Sequence, residues 1–125
     1  MNRKTGPRQA TGPRVVARGH SACYPEPVAF STGDSLSIGG NDDEYPEWLW
    51  VVTSEGKEGW APETFIARNG SEGTALRDYD SNELDTCRGE TVFLLEETGG
   101  WSLVRNSLGA SGWVPSETLG NRHRN

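Results

Sequence analysis

Hydrophobic and polar residues alternate in short runs along this chain. Ser35-Leu36-Ser37-Ile38 places Leu36 and Ile38 on one face of a strand, and Thr91-Val92-Phe93-Leu94 repeats the pattern. Trp48–Thr53 predicts a second strand, Ser54–Lys57 a turn, and Glu58–Ala61 the returning strand. Pro62-Glu63-Thr64 suits one helical turn before Phe65-Ile66. Trp101–Arg105 predicts another strand, with turn residues Asn106, Ser107 and Gly109 after it, then a return through Gly112-Trp113 that Pro115 closes. No segment carries the periodic apolar face of a long helix. The pattern predicts an all-β chain.

The two strand pairs are copies. Shifted by 53 residues, Trp48–Ile66 aligns without a gap on Trp101–Leu119. Seven of the nineteen positions are identical, among them Trp48/Trp101, Gly56/Gly109, Trp60/Trp113 and Pro62/Pro115. Upstream, Val28 to Gly33-Asp34 matches Leu84 to Gly89-Glu90 at a shift of 56. The duplication predicts two very small domains, at residues 15–67 and 74–119, each near the lower size limit for a single hydrophobic core. Residues 68–73 read as a linker, and residues 120–125 as a short basic tail. Residues 1–14, with the tetrapeptide TGPR twice, read as a disordered basic tail.

Charge narrows the class of partner. The formal net charge is −6, but all 18 acids lie between Val15 and Leu119, where only six Lys or Arg accompany them, leaving −12. So acidic a body repels a phosphate backbone, which argues against nucleic acid and suits a basic or neutral peptide. No apolar run predicts a signal or a membrane span, so no membrane role is expected. Cys23 and Cys87, one per half, read as reduced thiols of a cytoplasmic protein. Two cysteines without a histidine cluster imply no metal. His20 and His123 lack partners at catalytic spacing, and the pairs Asp42-Asp43 and Glu96-Glu97 sit in acidic loops rather than across a cleft. Neither a nucleophile with its base nor a phosphate loop is present. The reading is a non-enzyme without cofactor.

The second copy supplies Ala75-Leu76-Arg77-Asp78-Tyr79-Asp80, Leu84, Gly89-Glu90, Trp101, Gly112-Trp113-Val114-Pro115 and Leu119. The first supplies Val28-Ala29-Phe30, Gly33-Asp34, Leu36, Ile38, Trp48, Gly59-Trp60-Ala61-Pro62 and Phe65-Ile66. Together they resemble Src-homology-3 (SH3) domains in tandem, closer to bacterial variants than to eukaryotic signalling modules. The resemblance implies two five-stranded barrels and a protein or peptide ligand, Pro-rich or basic, docked on an aromatic groove. It would make Trp48, Pro62 and Phe65 the groove of the first copy, with Tyr24 nearest to its missing tyrosine. Trp101, Pro115 and Tyr79 would form the groove of the second. Acids facing a basic ligand would be Glu26 and Asp42, Asp43 and Glu44 in the first copy. In the second they would be Asp80, Glu83, Glu96 and Glu97. Arg77 stands where the family has its first tyrosine, and Thr118 where it has the closing one. Trp60 and Trp113 are expected to pack, and Trp48 and Trp101 to be partly exposed. Trp50 shares the face of Trp48, either widening the platform or buried between the copies. The expected role is a binding module, as an adaptor or regulatory partner; the alternatives are a wall-glycan accessory protein or a structural piece. The first copy is expected to carry most of the binding.

Overall fold

The computed structural model describes residues 11–22 and 27–120. The expected tails at 1–10 and 121–125, and Cys23, Tyr24 and Glu26, lie outside the described residues. Among the described residues eleven strands run in order: β1 Gly12–Val15, β2 Ala29–Phe30, β3 Ser35–Asn41, β4 Trp48–Thr53, β5 Glu58–Pro62, β6 Ile66–Asn69, β7 Glu72–Ala75, β8 Tyr79–Asp80, β9 Thr91–Thr98, β10 Trp101–Arg105 and β11 Ser111–Pro115. Single 3-10 turns, Glu63–Phe65 and Ser116–Thr118, follow β5 and β11. The all-β expectation holds.

Two compact units form, and their boundaries are not those of the sequence copies. A contiguous unit spans Ala22–Glu83, and a split unit joins Met1–Ser21 to Leu84–Asn125. The contiguous unit holds a five-stranded sheet in the order β5-β4-β3-β7-β6 and a β2–β8 ribbon. The split unit holds a four-stranded sheet, β1-β9-β10-β11. Leu119 closes it by bridging to Val16.

The difference arises because each copy lends its opening arm to the other. Residues 12–14, expected as tail, form a strand whose Val15 faces Thr91 of β9. Val16 exchanges backbone bonds with the turn of the second copy, Val16 N–H to Glu90 O and Gly89 N–H to Val16 O, both 2.8 Å. Ala75 does the same for the turn of the first copy, donating to Asp34 O at 2.9 Å and accepting from Gly33 N–H at 2.8 Å. Likewise Ala17 N–H reaches Thr118 O, and Leu76 N–H reaches Phe65 O. A shift of 59 therefore equates Val16 with Ala75 and His20 with Tyr79. The expected linker 68–73 is a tight hairpin instead, with Asn69 opposite Glu72. Gly70 sits at its tip with a φ of 66° that an L side chain resists.

The turns repeat as the sequence repeats. Asp34 Oδ2 accepts from Ser31 N–H at 2.8 Å, and Glu90 Oε1 accepts from Cys87 N–H at 3.0 Å. Gly33 and Gly89 occupy the left-handed corner of these turns at φ 92° and 91°. In the split unit Val16, Leu84, Val92, Leu94, Val104 and Val114 form the core. In the contiguous unit Val28, Leu36, Leu49, Val51 and Ala61 are buried outright. Val51 and Val104, each fully buried, thus belong to separate units. Ser102 occupies in the second copy the buried position of Leu49. Its hydroxyl is satisfied by Ser116 Oγ at 2.7 Å, which ties β10 to the closing 3-10 turn.

Candidate functional site

In the contiguous unit the aromatic cluster is built from both copies. Phe65, from the first copy's 3-10 turn, meets Tyr79 edge-on at 5.6 Å, and Tyr79 packs on Phe30 at 5.3 Å. Tyr79 was expected beside Trp101 and Pro115; the exchanged arm places it with Phe65 instead. Its hydroxyl donates to Trp60 O at 2.9 Å. Arg77 lays its guanidinium 3.9 Å from the centre of the Phe65 ring, capping the aromatic surface. Trp48 stands opposite Pro62 in the β4–β5 register. The groove expected here is a filled one. Trp48 is 6% exposed, Phe65 4% and Tyr79 7%, and Pro62 is buried. The expectation that Trp48 is partly exposed is therefore corrected.

The acids divide by what they do. Asp42 Oδ2 accepts the N–H groups of Glu44 at 3.0 Å and Tyr45 at 2.7 Å, so it folds its own loop. Asp43 and Glu44 are exposed on that loop. Asp80 lies on β8 opposite Ala29 and, with Glu83, belongs to the contiguous unit, not with Trp101. Glu96 and Glu97 were expected in a loop but stand on β9, because Gly99 and Gly100, at φ 57° and 87°, make the β9–β10 connection a tight hairpin. Asp78 accepts from both the backbone N–H and the hydroxyl of Thr32, which hold its carboxyl below the ordinary carboxylate pKa.

Burial raises the Tyr79 phenol far above its ordinary pKa, and the carboxylates of Asp80 and Glu83 add to the shift. A group whose pKa is raised in the fold contributes stability below its unfolded value, about 10, and loses it as pH rises beyond. Stability is therefore expected to fall above about pH 10. Tyr79→Phe should abolish this component of the fall, at a cost of about 1 kcal/mol near neutrality for the lost hydrogen bond. Urea midpoints at neutral and alkaline pH check this. An alkaline loss as steep in Tyr79→Phe as in the wild type would contradict it.

The split unit presents the same frame with different occupants. Trp101 stands opposite Pro115, and both are half-buried. His20, equivalent to Tyr79, meets Trp101 edge-on at 5.8 Å. Thr118, equivalent to Phe65, is buried, its hydroxyl turned back to Pro115 O at 2.7 Å. Arg18, equivalent to Arg77, pairs instead with Glu117 at 3.1 Å. The half-exposed Trp–His–Pro surface is the more open of the two. His20 was missed as a site residue, although aligning VARGH on ALRDY would have found it.

Paired β units carrying the same turn, the same Trp opposite Pro and the same closing 3-10 turn decide the family. The family model described as "SH3 domain" matches residues 74–116, and that described as "Variant SH3 domain" matches residues 15–67. The chain is a tandem SH3 protein. A comparison with curated proteins finds no match. The SH3 matches follow the copies in sequence, whereas the SH3 units in space exchange their opening arms. SH3 domains are protein-interaction modules, and both units keep the family frame of Trp opposite Pro. Among the described residues no three His, Cys, Asp or Glu side chains gather to hold a metal ion.

Proposed function

We propose that this tandem SH3 protein is a non-catalytic adaptor or regulatory partner that binds a peptide segment through the split unit. The observation that carries the reading is the contrast between equivalent tryptophans. Trp48 is sealed among Pro62 and its neighbours, while Trp101 is half-exposed beside His20 and Pro115. A half-exposed aromatic surface edged by proline suits a proline-rich segment, which is already extended and loses little entropy on docking. Binding thus moves from the first copy, where the sequence suggested it, to the second. A reducing, cytoplasmic setting agrees with the exposed thiol of Cys87.

An array of proline-rich peptides, with and without arginine, tests this against wild type, Trp101→Ala and Leu108→Ala. Leu108 is 91% exposed in the turn between β10 and β11 and serves as the control. Peptides held by wild type and by Leu108→Ala but lost by Trp101→Ala support the site. Retention by all three removes it.

A further inference from the structure

A second aromatic surface lies on the β3–β4–β5 sheet of the contiguous unit. Trp50 and Trp60 face each other across β4 and β5, ring centres 5.1 Å apart and planes at 78°. Trp50 donates its indole N–H to Glu58 Oε1 at 3.0 Å, and Glu58, two residues before Trp60, shares its face. On the other side Trp50 lies over Gly39, where an added Cβ would come within 3.0 Å of the indole ring. The ring is thus fixed before any ligand arrives. Both tryptophans are nevertheless half-exposed, and Glu58 is exposed.

The fold does not require this trio. At equivalent positions the split unit has Leu103 for Trp50, Ser111 for Glu58 and Leu95 for Gly39, and its Trp113 is buried. One SH3 frame therefore closes its sheet with leucines, and the other maintains an open indole pair beside a carboxylate. Charge points to what binds there. The contiguous unit contains thirteen Asp or Glu against Lys57, Arg68 and Arg77, a formal charge of −10.

We infer that Trp50, Trp60 and Glu58 form a site for an arginine side chain of a basic segment on a partner protein. A guanidinium is planar and weakly hydrated, so it can lie on an indole face while donating to the remaining oxygen of Glu58. An ammonium would gain the charge attraction but not the stacking. The acidic unit supplies long-range attraction, and the trio supplies the seat.

The test titrates the full chain with the peptide GRGRGRGRG while following tryptophan indole resonances, alongside a lysine version and a glutamate version. The arginine peptide should move the Trp50 and Trp60 signals saturably, with the lysine peptide weaker. Trp50→Leu, which installs the residue the split unit uses, and Glu58→Gln should each weaken binding about tenfold. Glu55→Gln removes the same charge from the neighbouring turn and should leave binding near wild type. Equal weakening by Glu55→Gln, or equal affinity in Trp50→Leu, would reduce the effect to diffuse charge attraction and overturn the site. So would a glutamate peptide that moves the same signals. Removing residues 1–10, which carry Arg3, Lys4 and Arg8, is the last arm. If that deletion alone moves the Trp50 signal, the occupant is the chain's own arm and not a partner.

Discussion

A fragment of residues 22–83 should fold on its own, and a fragment of residues 15–67 should not fold to comparable stability. The shorter piece matches the sequence copy but lacks β7, which pairs with β3 and β6, and β8, which pairs with β2. It also lacks Tyr79, whose ring is packed between Phe30 and Phe65. Loss of such a buried aromatic costs about 3–5 kcal/mol, as much as the whole margin of a domain this small. Its own arm could fill the gap only by placing Val16 where Ala75 sits and His20 where Tyr79 sits. Urea denaturation followed by circular dichroism separates the cases. A fragment 15–67 as stable as 22–83 would refute the assignment of β7 and β8.

The second large effect separates two tryptophans that the sequence presents as equals. Trp48→Ala should cost about 3–5 kcal/mol of stability, because it empties a buried site opposite Pro62. Trp101→Ala should leave the split unit folded and lower affinity for its peptide at least tenfold, as expected where a central aromatic anchors an interface. Denaturation midpoints and peptide titrations on the two variants check this. A folded, fully stable Trp48→Ala that has lost binding would return the site to the first copy.

Most of the fold was legible in the residues. Alternation marked the strands at Leu36-x-Ile38 and Val92-x-Leu94. Glycines at left-handed turns, Gly33 and Gly89, fixed the repeat because few other residues tolerate that backbone. The exchange was not legible, for a physical reason. Gly33-Asp34 and Gly89-Glu90 offer an incoming arm the same donors and acceptors, so local chemistry does not say which arm belongs to which turn. Asn69-Gly70 supplied a hairpin signal, but its polar surroundings read as a linker. The candidate site suffered most, since Tyr79 changes partners with its arm. The depth of Trp48 depends on packing that no spacing encodes.

The exchange also sets an order of events during synthesis. Everything the contiguous unit needs has emerged once Glu83 is made, so that unit can close while the rest of the chain is still being added. Strand β1 is in the opposite position. Val16 must stay unpaired until Gly89 and Glu90 appear, Val15 until Thr91 does, and the bridge from Val16 to Leu119 forms later still. During that interval the turn at Gly33-Asp34 is the nearest acceptor for the early arm, until Ala75 arrives to take it. The long sequence separation slows closure of the split unit, because the intervening loop must be ordered before its contacts give anything back. Strand β1, made before its partners, is thus among the last to find its place.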